Sequence, residues 1–169
     1  VMSNFLKIIT LSFGSLLFLS TSSYALCDFE KVTISTSLKS FQSRYVGDID
    51  SRTNQLQSYD IPLKRICSDE FEQGIAQYSF INKKLQKITI TDFEINSDYL
   101  KSLTYHYGKP TNGYNRPGTS GIAYHHWDKS GKSIFLIDSV IGDTRKQTIE
   151  IVSKRFNELS AKYSDYDDE

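Results

Sequence analysis

The stretch Ile75-Ala76-Gln77-Tyr78-Ser79-Phe80-Ile81 runs through Asn82-Lys83-Lys84 into Leu85-Gln86-Lys87-Ile88-Thr89-Ile90-Thr91-Asp92-Phe93. In its second arm Ile88, Ile90 and Glu94 alternate against Thr89, Thr91 and Phe93. Alternation with period two places one set of side chains on each face of a half-buried strand. The first arm reads as a partner strand, and the polar Asn82-Lys83-Lys84 between them as a turn. A β-hairpin is the clearest element of the chain.

Reading outward toward the C-terminus, Asn96 or Ser97 can cap a helix, with Asp98 in its first turn. Tyr99, Leu100, Leu103 and Tyr107 fall at helical spacing, Gly108 stands where a C-terminal glycine belongs, and Pro110 blocks continuation. Residues 108–121, with Gly108, Pro110, Gly113, Pro117, Gly118 and Gly121, read as a long irregular loop. Strands follow at Ile122 to Trp127, Ser133 to Ser139 and Gln147 to Ser153. Asp128-Lys129-Ser130-Gly131 and Gly142-Asp143 supply the turns. Phe156 and Leu159 suit one helical turn before an acidic tail.

Toward the N-terminus, Tyr59 and Ile61 before Pro62 suggest a short extended piece. Residues 47–55 read as a polar loop, and Leu38, Phe41 and Tyr45 mark a helix over Ser37 to Tyr45. Phe29, Val32 and Ile34 carry a short β-like segment. The two halves are alike in kind, each a helix followed by strands. Turns this short disfavour a parallel α/β arrangement. The expected fold class is therefore α+β, an antiparallel sheet with helices packed on one face and a pseudo-repeat of helix plus strands.

Residues 1–25 differ from all that follows. Lys7 is the only charge before Asp28, and Ile8 to Leu19 form an apolar run too short to span a bilayer. Ser23-Tyr24-Ala25 fits the small–x–small pattern ahead of a cleavage point. The expectation is a cleaved signal peptide over 1–25, a single α+β domain over 26–155, and a short helical turn with an acidic tail over 156–169. Leu26 before Cys27 is a poor match to a lipoprotein signal. A periplasmic location in a Gram-negative cell follows, with secretion as the alternative. In such an oxidising compartment Cys27 and Cys67 are expected to pair as a disulfide.

The 169 residues carry 20 Lys+Arg against 20 Asp+Glu, which removes the electrostatic footprint of a nucleic-acid binder. At 13% aromatic and 38% hydrophobic the chain has the means to build a core. No stable membrane insertion is expected once the signal is removed.

A resemblance rests on Phe80-Ile81-Asn82-Lys83-Lys84-Leu85-Gln86-Lys87-Ile88-Thr89-Ile90, Leu103, Tyr107-Gly108-Lys109-Pro110, Trp127 and Ile134-Phe135-Leu136. This layout, over roughly residues 75–153, resembles that of small Gram-negative envelope proteins similar to the β-lactamase-inhibitor protein and the small outer-membrane assembly lipoproteins. The resemblance implies helix-plus-sheet modules that bind other proteins and catalyse nothing. It transfers no functional residue.

The residues that invite chemistry read more simply as structure. His125 and His126 are strand neighbours that face opposite sides, so with His106 they make a poor metal set. Gly131-Lys132-Ser133 lacks the earlier glycine of a phosphate loop, because position 126 is His126. Asp92 and Glu94 share a strand face without a partner acid. No catalytic residue, metal or cofactor is expected.

Recognition fits better. The loop carries Tyr114, Asn115 and Arg116, and Tyr and Arg are types that anchor interfaces. His125 and Trp127 on the adjoining strand complete the candidate partner-binding set. The expected function is a non-catalytic periplasmic protein-binding module, most sharply an inhibitor or immunity-type protein. Its partner would be another envelope or secreted protein, a toxin or cell-wall hydrolase. A small-ligand carrier is the alternative, and an envelope hydrolase a third.

Overall fold

The computed structural model describes residues 32–45, 48–52, 55–67, 74–92, 99–116 and 121–164, with 48–52, 115–116 and 164 described by backbone alone. Helix α1 (Leu38–Gln42) precedes strands β1 (Asp48–Arg52), β2 (Leu56–Pro62), β3 (Ile75–Ile81) and β4 (Lys84–Asp92). Helix α2 (Tyr99–Tyr107) precedes β5 (Asn112–Arg116), β6 (Ile122–Lys129), β7 (Lys132–Ile141) and β8 (Thr144–Ser153), and α3 (Phe156–Ser164) follows. The strands form one antiparallel sheet in the order β1-β2-β3-β4-β8-β7-β6-β5. Each half is one helix and a four-stranded meander, and the last strands of the two halves pair at the centre. The α+β class and the antiparallel sheet are present, and the topology repeats.

Local chemistry explains the clearest elements. Asn82 and Lys83 both have positive φ, 51° and 61°, the twist a two-residue hairpin turn needs. The turn is therefore shorter than the sequence suggests, and β4 begins at Lys84. Ser37 caps α1 by accepting from the Ser40 N–H at 3.2 Å. Gly108 ends α2 at φ +76°, where its N–H reaches the Thr104 carbonyl at 2.9 Å.

Four expectations need correction. Residues 48–52, read as loop, are β1, and residues 112–116, read as part of an irregular loop, are β5. Both are rich in Asp, Asn, Gly and Ser, which argue against strand on propensity. Both are outer strands, and pairing with β2 and β6 outweighs that preference. The C-terminal turn is a nine-residue helix, α3. The first helix also stops at Gln42. Residues 1–31, including the expected signal and Cys27, lie outside the described residues, as do Phe93, Glu94 and the acidic tail.

Register assigns the core to one sheet face. Tyr59 and Ile61, Ala76 and Tyr78, Ile88 and Ile90, Ile149 and Ile151, Ile134 and Leu136, and Trp127 are paired across successive strands and all are buried. Phe41 of α1 packs its ring against Tyr59, Tyr78 and Phe80 at centroid distances of 5.7, 4.9 and 5.0 Å. Tyr99 and Leu103 of α2 belong to the same cluster. No α3 residue does. Instead Phe156 lies under Lys87 Nζ at 5.7 Å, and Asn82 Nδ2 donates to the Tyr163 hydroxyl at 2.6 Å. Lys87 is one residue out of phase with Ile88, so its side chain starts from the other face.

Candidate interaction face

Parity along β5, β6 and β7 sorts the expected partner-binding residues into two groups. Tyr114 pairs with Tyr124 and Tyr124 with Ile137, while His126 pairs with Phe135. These positions alternate with the buried Trp127, Ile134 and Leu136, so they lie on the outer face of the sheet. His125 pairs with Leu136 and faces the core side.

The outer face carries a run of rings. Tyr114 and Tyr124 stack at 5.6 Å and 23°, Tyr124 and Phe135 lie 6.1 Å apart, and His126 stacks on Phe135 at 4.7 Å and 9°. Tyr114 is 52% exposed, and Ile122 and Ile141 on the same face are 46% and 73% exposed. Ile75 on β3 is another exposed residue of this face. Among the described residues, the large exposed hydrophobics fall on this one face of the sheet, apart from Tyr105 of α2. A sheet face turned to water normally alternates to polar residues. Apolar residues gathered there mark a surface suited to contact.

Trp127 belongs elsewhere. It is fully buried, and its indole N–H donates to the Gly108 carbonyl at 2.7 Å. It offers no surface to a partner and pins the end of α2 to β6. His125 is half-buried beside it, with ring centroids 6.3 Å apart. Gly113 is paired to His125, and a Cβ there would meet the Tyr124 carbonyl at 2.9 Å and His125 Nδ1 at 3.0 Å. Only glycine lets β5 lie this close. The side chains of Asn115 and Arg116 lie outside the described ones, and their backbones complete β5.

Electrostatics on the two faces differ. On the core side a polar row crosses the sheet rim. Arg145 donates through Nε to both carboxylate oxygens of Asp138 at 2.9 and 3.2 Å, and Gln147 Nε2 adds a bond at 3.1 Å. These hydrogen bonds, Arg145 first, hold the Asp138 carboxyl below its ordinary range against the opposing effect of burial. The Tyr99 hydroxyl donates to buried Asp92 at 3.0 Å. On the outer face, burial and then neighbouring Tyr114 push the Tyr124 hydroxyl above its ordinary pKa. Exposed Asp128 is lowered by its hydrogen bond and ion pair with Lys154, at 2.8 Å.

His125 and His126 sit on opposite faces, and no group of three or more His, Cys, Asp or Glu able to hold a metal ion occurs among the described residues. Ser130 and Gly131 form the β6–β7 turn and Lys132 opens β7, with its Nζ 4.9 Å from the centroid of the Tyr107 ring. A small open groove of about 260 Å³ lies beside that ring, lined by Val32, Ile34, Ile88, His106 and Ile151 among others. No helix among the described residues is long and apolar enough to cross a membrane. Cys67 is half-buried against the core and is not a free thiol, and Cys27, expected to pair with it, lies outside the described residues.

Tyr124, Phe135, Ile137, Ile122 and Ile141 were not in the partner-binding set expected from the sequence. Their signal is the second phase of the same alternation that buries Trp127, Ile134 and Leu136. Compared with protein-family models, curated proteins and solved structures, the chain matches none.

Proposed function

We propose that this chain is an exported, non-catalytic protein-binding module, acting in the periplasm as an inhibitor or immunity-type protein against a cell-wall-attacking or secreted toxin. The observation that supports it is the outer sheet face, where Tyr114, Ile122 and Ile141 stand exposed around the stacked Tyr124, Phe135 and His126. Large amphipathic rings on a rigid sheet lose little conformational freedom on binding, which favours their use as anchors. Helices α1 and α2 are read as the layer that covers the opposite face, leaving this one to a partner. The apolar run at 8–19, with the Ser23-Tyr24-Ala25 pattern, supports export, and export supports a Cys27–Cys67 bridge.

The test is capture of a partner from periplasmic extract by the mature chain, together with growth on co-expression with a genetically adjacent toxin. Binding and rescue that disappear in Tyr124→Ala/Ile122→Ser support the reading. Absence of any bound protein and of rescue overturns it.

A further inference from the structure

The groove beside Tyr107 lies on the core side of the sheet, away from the run of rings. Residues 32–34 and the last turn of α2 line it, and Ile88 of β4 and Ile151 of β8 stand in it as cross-strand partners where the two halves pair. Both isoleucines are buried, and Ile34 and Tyr107 pack against the same core cluster. The apolar part of the groove is therefore built from the core itself. Its volume of about 260 Å³ is below the roughly 300–1,000 Å³ of sites for drug-sized ligands, which limits an occupant to a small molecule.

Lys132 gives the groove a charge. It is half-buried, and it pairs in register with buried Ser153, which places it on the core side. A lysine drawn out of water is ordinarily paired with an acid. Among the described residues no carboxylate pairs with Lys132. Its Nζ lies over the Tyr107 ring and reaches the Tyr107 hydroxyl only at 3.4 Å. An ammonium has three donors, so this one long contact leaves capacity for an acceptor that a ligand brings.

We propose that the groove binds a small monocarboxylate with a short hydrocarbon body. The carboxylate takes the Lys132 ammonium, and the hydrocarbon covers Ile88 and Ile151. A charge-assisted hydrogen bond orients the ligand, and removal of apolar surface from water supplies the remaining affinity. A groove this small and open supports binding only in the millimolar range. The site shares no residue with the outer face, so its failure leaves the partner reading intact.

Hexanoate is the probe, titrated into the mature chain up to about 10 mM and followed by the methyl NMR signals of its isoleucines and valines. Acetate carries the charge alone, and 1-hexanol the hydrocarbon alone. The expected result is saturable shifts centred on Val32, Ile34, Ile88 and Ile151, with hexanoate at least about fivefold tighter than either control. Lys132→Gln should weaken hexanoate by at least about fivefold and leave 1-hexanol unchanged, while Lys132→Arg should retain hexanoate binding. The map on the wild-type chain tests the site even if a variant folds poorly. Shifts that do not saturate overturn the proposal, as a groove filled by the chain ahead of Val32 would give. So do shifts centred on Ile122 and Ile141, 1-hexanol binding as tightly as hexanoate, or hexanoate affinity unchanged in Lys132→Gln.

Discussion

The indole of Trp127, in the middle of β6, donates to the carbonyl of Gly108, the residue that ends α2. One hydrogen bond of 2.7 Å thus ties the C-terminus of a helix to a strand beneath it. Two further hydrogen bonds to β6 hold the residue before β5 in place: Thr111 N–H reaches the His126 carbonyl at 2.7 Å, and Thr111 Oγ1 accepts from the Asp128 N–H.

Trp127→Phe should therefore destabilise the protein by about 2 to 4 kcal/mol, from the lost donor together with the smaller ring. Chemical denaturation measures it. A change below about 0.5 kcal/mol would mean that the carbonyl is satisfied otherwise and the indole volume refilled.

Phe41 is the only α1 ring in the cluster formed with Tyr59, Tyr78 and Phe80. It is fully buried, so Phe41→Ala should cost about 3 to 5 kcal/mol. Amide exchange should report it as loss of protection in both α1 and β3. Loss confined to α1 would show that the helix docks on a sheet stable without it.

Asp138 supplies a pH dependence with a definite sign. Its carboxyl is held below the ordinary range, chiefly by hydrogen bonds from Arg145, so it releases its proton more readily folded than unfolded. It stabilises the fold above the unfolded carboxylate pKa, and that contribution is lost as pH falls through the lower, folded value. Asp138→Asn should thus be less stable than wild type at neutral pH by about 1 to 3 kcal/mol, with the gap closing in acid. A gap independent of pH would assign the loss to packing.

The proposed interface separates binding from folding. Tyr124→Ala with Ile122→Ser should weaken the captured partner by at least about thirtyfold, the scale of a lost anchor. Thermal unfolding should show a far smaller change than Phe41→Ala. Equal affinity in the double variant would move the interface off the outer face.

The proposed Cys27–Cys67 bridge would close a loop of about 40 residues and contribute roughly 4 kcal/mol in the chain-entropy model. Mass spectrometry of protein exported from cells, with and without reductant, should show loss of two hydrogens in the unreduced chain. Reduction should then lower the unfolding temperature. Two alkylatable thiols in unreduced material would rule the bridge out.

Much of the sheet is legible without coordinates. The Ile88/Ile90 alternation, the polar turn after Ile81, and the helix ending at Gly108 depend on near neighbours, so period and capping suffice. Short connections likewise disfavour a parallel sheet. Strands β1 and β5 are different. In Asp-Ile-Asp-Ser-Arg and Asn-Gly-Tyr-Asn-Arg one strand-favouring residue each, Ile49 and Tyr114, is outnumbered by turn formers and charges; each forms because the strand that follows it, β2 or β6, offers a ladder.

The candidate site divides the same way. Sequence identifies Tyr114, His125 and Trp127 as conspicuous, yet cannot say which side of a sheet faces water. Tertiary structure makes that choice when α1 and α2 bring Phe41, Tyr99 and Leu103 onto the core cluster. Trp127 then becomes core, while Tyr124, Ile122 and Ile141, in the opposite phase, become surface. A strand's two faces are one residue apart in sequence, so burial on one of them reverses the meaning of every neighbour.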